Sequence, residues 1–241
     1  MQRRSFLSSA LALAAASTLP AARAEVISGG QPWQPGTASL PTLPTVRQGG
    51  LAFFTPAEFE AAAALADRLI PADELSIGGK EAGCATFIDR QLAGDYGNGA
   101  TLYRLGRFVK GTPEQGTQSP LTPADRWRQG LAALDTLCRT SFSKAFAELD
   151  GGQQDDLLRR MESGQLELVL GPDLEVKELF EQILANVREG FLADPIYGGN
   201  KGMASWKMLG FPGARYDFRD VIAKKGQKLT IIPTSLIDNT L

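Results

Sequence analysis

The sequence predicts a mostly α-helical fold: a single helical domain with an extended N-terminal leader and an irregular C-terminal arm. Two segments begin with the helix-start pattern Thr-Pro-x-acid, one at Thr55 and one at Thr122. Apolar residues recur at helical spacing from Leu174 to Phe191. The chain has 241 residues, 43% of them hydrophobic, which suffices for one sizeable core.

The first helix carries the clearest signal. Thr55 at the N-cap, Pro56 at the first helical position and Glu58 three residues after the cap form a capping box with the preferred proline. We expect this helix to run to Ile70 and to end before Pro71, because the residue preceding a proline disfavours the α conformation.

The other elements are predicted from cap residues, glycine breaks and apolar spacing. They are, in order, a helix from Glu81 to Leu92, a short helix over 102–108, a long helix from Thr122 to about Leu149, a helix from Asp150 through Met161, a long helix starting at 171–173, a short helix near 205–209 and a strand-like stretch over 229–232.

The first 24 residues have the pattern of a cleaved export signal. The core Arg3-Arg4-x-Phe6-Leu7 is the twin-arginine pattern, whose pathway exports folded proteins. An apolar run of about 14 residues follows, too short to span a bilayer. Ala22 and Ala24 provide the small residues that a signal peptidase requires. The alternative is an ordinary secretory signal that happens to contain two arginines.

The predicted organisation beyond the signal has two parts. Residues 25–50 are rich in Pro, Gly, Ser and Thr and form an extended leader, and residues 51–241 form the helical domain. Twin-arginine export commonly serves proteins that acquire a cofactor or a partner before export. The chain has no dinucleotide-binding or phosphate-binding glycine motif and no metal cluster, so we expect no cofactor in this chain. A cofactor would then belong to a partner that is exported with it.

The composition excludes several classes of function. Lys plus Arg is 25 and Asp plus Glu is 27, so the chain is mildly acidic and has no electrostatic footprint for nucleic acid. The sequence contains no histidine, which excludes Ser-His-Asp catalysis and His-ligated zinc or haem. The two cysteines are too few for a four-cysteine cluster.

Three groups of polar residues need an interpretation. Cys84 and Cys138 are expected to form a disulfide if the chain is exported; the alternative is two buried thiols that never meet. The acidic pairs, such as Asp155 with Asp156, lie on predicted helix surfaces or first turns, so we interpret them as structural. The basic residues near the C-terminus, such as Lys224 and Lys225, are interpreted as a solvated face.

The segment after the last long helix combines glycines, a proline, an asparagine and aromatic residues. Its candidate partner-interface residues are Asp194, Pro195, Tyr197, Gly198, Gly199, Asn200, Trp206 and Lys207. Exposed aromatic side chains with few rotatable bonds suit a protein interface. The alternative is that Tyr197 and Trp206 cap the helical core with their polar tips satisfied. Periodicity leaves both interpretations open.

Five motifs occur in a fixed order along the chain. They are Arg3-Arg4-x-Phe6-Leu7, Phe54-Thr55-Pro56-x-Glu58, Asp67-Arg68-Leu69-Ile70-Pro71-x-Asp73, Glu81-Ala82-Gly83-x-x-x-Phe87-Ile88-Asp89, and Asp194-Pro195-x-Tyr197-Gly198-Gly199-Asn200 followed by Trp206-Lys207-x-x-Gly210. Together they cover nearly the whole chain and resemble the gluconate 2-dehydrogenase subunit 3 family.

The resemblance implies a non-catalytic small subunit that escorts or stabilises a periplasmic, membrane-associated FAD-dependent sugar-acid dehydrogenase. In such a complex a large FAD subunit oxidises gluconate to 2-dehydrogluconate, and a cytochrome c subunit carrying haem c passes the electrons to quinone. The resemblance assigns no catalytic residue to this chain, and membrane association would be peripheral and through the partners. The alternatives are a stand-alone exported helical protein that is either a carboxylate-based enzyme or a periplasmic binding or scaffold protein.

Overall fold

The structure is a computed structural model that describes residues 49–102, 106, 108–109, 111–115, 119–215 and 217–237. The predicted signal, nearly all of the leader and most of the predicted helix over 102–108 lie outside the described residues. The described part is mostly helical, which confirms the predicted fold class. Its six α-helices are α1 (Pro56–Leu69), α2 (Cys84–Ala93), α3 (Pro123–Phe142), α4 (Gly151–Glu162), α5 (Val176–Leu192) and α6 (Ala204–Leu209).

Short 3-10 turns connect or follow these helices. They are Pro113–Gln115, Phe146–Glu148, Pro195–Tyr197, Lys201–Met203 and Ile222–Lys224. The described residues contain no β-strand; the predicted strand at 229–232 is wrong, and the only pairing nearby is an isolated parallel bridge between Gly213 and Thr234. None of the described helices is both long enough and apolar enough to cross a bilayer.

The capping box predicted at Thr55 is present, and the helix starts predicted at Thr122 and Asp150 are capped in the same way. The Glu58 N–H donates to Thr55 Oγ1 at 3.3 Å and the Thr55 N–H donates to Glu58 Oε2 at 2.8 Å, so α1 begins as predicted. The side chain of Asp150 likewise accepts from the Gln153 N–H at 2.9 Å at the start of α4. Local chemistry therefore determines where these helices begin.

Three predicted boundaries differ from the structure. α2 begins at Cys84 and not at Glu81, because Gly83 adopts a left-handed conformation with φ of 81°. α3 ends at Phe142 and not near 149, because Ser143 is left-handed with φ of 56°. α5 begins at Val176, a few residues after the predicted start.

Helix α5 is the centre of the bundle and contacts each of the other five helices. Two glycines permit close contacts between α5 and its neighbouring helices. A Cβ at Gly130 of α3 would lie 2.6 Å from the side chain of Leu179, and a Cβ at Gly190 of α5 would lie 3.0 Å from the ring of Phe87. The indole Nε1 of Trp127 donates to the Asn186 side chain at 2.9 Å, which satisfies both polar groups inside the bundle.

Candidate partner interface

The predicted interface segment begins where α5 ends. The Asp194 carboxylate accepts a hydrogen bond from the Ile196 N–H at 2.9 Å and so caps the turn Pro195–Tyr197. The same carboxylate accepts from Ser235 Oγ at 2.7 Å and from the Leu236 N–H at 3.0 Å. Through these hydrogen bonds Asp194 connects residues 235–236 of the C-terminal arm to the end of α5.

Two glycines bring the next residues close to α5. Gly198 is left-handed, with φ of 101°, and its N–H donates to the Pro195 carbonyl at 2.9 Å. A Cβ at Gly199 would lie 2.0 Å from the carbonyl oxygen of Gly190, so the backbone approaches too closely for any side chain. The structure thus gives both glycines a role in packing.

Asn200 is completely buried and holds the turn that leads into α6. Its Nδ2 donates to the Ala193 carbonyl at 2.9 Å. Its Oδ1 accepts from the N–H of Ser205 at 3.0 Å and from the Ser205 hydroxyl at 2.8 Å. Asparagine suits the position because its φ of 46° is left-handed, a conformation that this side chain tolerates.

The side chain of Trp206 is also buried, with only 6% of its surface exposed. Its indole Nε1 donates to the carbonyl of Leu192 at 2.8 Å. Its ring meets that of Phe211 edge to face, with centroids 5.2 Å apart. In contrast, Tyr197 is 51% exposed and Lys207 is exposed.

The structure therefore divides the predicted interface residues. Pro195, Gly199, Asn200 and Trp206 form a buried junction between α5 and α6, which matches the core-capping alternative for Trp206. Tyr197 does not cap the core, because half of its side chain is open to solvent.

A groove of about 790 Å³ lies between α2 and α5 beside Tyr197, and we call it the Tyr197 groove. It is lined by Phe87, Gln91, Ala185, Arg188, Glu189, Leu192, Ala193 and Tyr197. Leu192 and Tyr197 are 44% and 51% exposed, so an aliphatic and an aromatic side chain are accessible to solvent at the edge of the groove. An apolar groove with an exposed aromatic residue and two charges suits the docking of a protein segment.

The two cysteines are free thiols in the structure, and both are buried. Cys84 is the first residue of α2 and packs toward α5, where a Cβ at Gly190 would lie 3.2 Å from its Cα. Burial raises the pKa of Cys84 to about 12 and that of Cys138 to about 11. The structure thus shows two buried thiols, the alternative interpretation, and no disulfide between Cys84 and Cys138.

This arrangement predicts the outcome of a thiol titration carried out without reductant. The denatured chain should yield two thiols, and the native chain should react with neither in the same time at neutral pH, because only an accessible thiolate is reactive. Replacing Cys138 by serine should halve the count after denaturation. A denatured wild-type chain with no reactive thiol would instead show the disulfide.

Asp155, from the acidic pair singled out in the sequence, and Asp73, from the third of the ordered motifs, have structural partners. Asp155 receives two hydrogen bonds from the guanidinium of Arg68, at 2.8 and 2.7 Å, and these lower its pKa. Asp73 accepts from the N–H groups of Leu75 and Ser76 at 2.8 and 2.9 Å. Among the described residues, no group of three or more cysteines and acids is placed to hold a metal ion.

One structural carboxylate was missed by the sequence analysis. Asp89, only 3% exposed, accepts hydrogen bonds from the N–H groups of Ala52, Phe53 and Phe54 at 2.7 to 2.9 Å. It holds the segment that enters α1 against α2. The sequence does contain a signal for this burial: Asp89 is an acidic residue within the apolar stripe of α2, directly after Ile88.

The comparisons with known proteins give one match. The sequence model of the family described as "Gluconate 2-dehydrogenase subunit 3" matches residues 56–213, which run from the first residue of α1 past the buried junction. No curated protein and no solved structure matches the chain.

Proposed function

The chain belongs to the gluconate 2-dehydrogenase subunit 3 family, and from this we propose that it is the non-catalytic small subunit of a periplasmic FAD-dependent sugar-acid dehydrogenase. The observation that carries the proposal is the family match over residues 56–213, which includes all six described helices. In the proposed complex the partners are a large FAD-containing subunit and a cytochrome c subunit that carries haem c.

The chemistry is assigned to the partners. Oxidation of gluconate to 2-dehydrogluconate releases two electrons and two protons; FAD in the large subunit takes the electrons, and the cytochrome passes them to quinone. Two features of this chain support the division. It contains no histidine, and two of its carboxylates, Asp155 and Asp89, are engaged by a guanidinium and by backbone N–H groups, respectively.

The escort role rests on the N-terminal sequence. A twin-arginine signal on a chain without a cofactor motif is explained if the signal serves a folded flavoprotein bound to it. The complex would then lie in the periplasm at the inner membrane, with the membrane association provided by the partners.

The Tyr197 groove is the proposed docking site for the flavoprotein. Aromatic side chains that become fully desolvated dominate binding at protein interfaces. Replacing Tyr197 by alanine together with Leu192 by serine should weaken the recovery of the flavoprotein on the tagged chain by at least about tenfold. Both side chains are about half exposed, so thermal unfolding of the isolated chain should change little.

A matched control is available at Val169, which is 93% exposed and lies outside the groove. Val169→Ser removes an exposed apolar side chain of similar kind and should leave the recovery unchanged. If the groove variant recovers as much flavoprotein as this control, the Tyr197 groove is not the docking site.

A further inference from the structure

The last described part of the chain forms a loop that is closed at its base. Gly213 and Thr234 form a parallel bridge. The Ala214 N–H donates to the Thr234 carbonyl at 2.7 Å, and the Thr234 N–H donates to the Pro212 carbonyl at 3.1 Å. Residues 215–233, described except at 216, therefore leave and rejoin the body at one place, and we call them the basic loop. The family match ends at residue 213, just before it.

The basic loop displays three large apolar side chains. Ile222 is 72% exposed, Ile232 is 84% exposed and Phe218 is 45% exposed. The guanidinium carbon of Arg215 lies 5.0 Å from the centroid of the Phe218 ring. Single exposed apolar residues are normal on a protein surface, but three within fifteen residues of one loop form a local apolar feature.

The loop also carries unpaired positive charge. Both of its acids form ion pairs within the loop, Asp217 with Arg219 and Asp220 with Arg215. The lysines of the loop are exposed, and no ion pair joins them to any acid in the described part of the chain. They are Lys224, Lys225 and Lys228.

The charge of the loop is opposite to that of the body. Residues 49–213 contain 16 basic and 23 acidic side chains, whereas residues 215–233 contain five basic and two acidic ones. An anionic surface therefore repels the body and attracts the loop, which orients the molecule with the loop toward that surface.

We propose that the basic loop docks on an anionic phospholipid bilayer, with its apolar side chains in the interfacial region and its lysines beside the lipid phosphates. Apolar side chains interspersed with lysines are the chemistry that binds anionic membranes. A protein partner requires a closely packed interface core. A fluid bilayer instead accommodates apolar side chains spread over fifteen residues. This contact is made by the chain itself, in addition to the attachment through the proposed dehydrogenase partners, and does not depend on them.

The test measures binding of the purified full chain to vesicles of phosphatidylcholine alone and to vesicles in which part of it is replaced by phosphatidylglycerol. The wild-type chain should bind the anionic vesicles more tightly, and added salt should weaken that binding. Changing Lys224, Lys225 and Lys228 together to glutamine should lower the affinity for anionic vesicles by roughly a hundredfold.

A second triple variant controls for the change in net charge. The N-terminal residues are the same in every protein compared, so they cannot cause a difference in vesicle binding between the variants. Changing Lys80, Lys144 and Lys177 to glutamine removes the same charge from exposed positions on the body and should leave vesicle binding close to wild type. The double change of Ile222 and Ile232 to serine should weaken binding at least about tenfold, because less apolar area leaves water.

Three results would overturn the proposal. One is equal binding of the wild-type chain to the two kinds of vesicle, and another is equal loss of binding in the two triple variants. The third is unchanged vesicle binding by the loop variant together with loss of its flavoprotein partner, which would show that the loop binds an acidic protein surface. Because the vesicles contain no protein, the first two results do not depend on the escort role.

Discussion

Replacing Trp206 by alanine is expected to lower the free energy of unfolding by about 3–5 kcal/mol, the range for removing a buried large aromatic side chain. The side chain is only 6% exposed and packs edge to face on Phe211. The change also removes the donor to the Leu192 carbonyl, at the last residue of α5. Urea denaturation of the isolated chain measures the change through its midpoint and slope.

Two further variants separate the contributions. Trp206→Phe keeps most of the buried ring and loses the hydrogen bond, so it should cost less than the alanine change. Tyr197→Ala should change the free energy of unfolding by less than about 1 kcal/mol, because that side chain is 51% exposed. Equal destabilisation by Trp206→Ala and Tyr197→Ala would contradict the division into a buried junction and an exposed groove.

Changing both Arg3 and Arg4 to lysine is expected to leave this chain and the proposed flavoprotein partner in the cytoplasm. Lysine keeps the positive charge but lacks the planar guanidinium, so the twin-arginine pattern is lost while an ordinary secretory signal would still function. Immunoblots of periplasmic fractions measure the export of both proteins, and dehydrogenase activity in the same fractions reports the assembled complex.

Gln2→Ala provides the control, because it changes the neighbouring residue and leaves the arginine pair intact. This variant should be exported normally. Full periplasmic dehydrogenase activity in the double-lysine variant would contradict the escort role, and export of this chain alone would show an ordinary secretory signal.

Where the helices start was predictable because N-caps are local. Thr55, Thr122 and Asp150 each bond to a backbone N–H three residues later, and such a pattern is visible in the sequence. The helical fold class follows from these caps together with the apolar stripe of α5.

Where the helices end was less predictable because tertiary contacts decide it. The apolar spacing continues beyond Phe142, yet α3 stops there: Ser143 turns left-handed and Phe146 enters the core from a separate 3-10 turn, only 1% exposed. A left-handed serine has no signal in the sequence, since glycine or asparagine is the usual residue at this position.

The sequence predicted which segment forms the site, but not which of its side chains are buried and which are exposed. The glycines and aromatic residues after Asp194 marked the irregular region correctly. The burial of Asn200 and Trp206 depends on carbonyl groups of Ala193 and Leu192 at the end of α5, and periodicity carries no information about such contacts. The same holds for Asp89, whose three backbone donors come from a segment some 35 residues earlier.

The accessory role is tested most directly by isolating the tagged chain gently from solubilised membranes and recording the masses and the visible spectrum of what accompanies it. The account predicts a large flavoprotein in stoichiometric amount, flavin absorbance and the bands of c-type haem, with gluconate-type dehydrogenase activity in the eluate. A colourless chain that elutes alone, with dehydrogenase activity remaining elsewhere in the membranes, would contradict it.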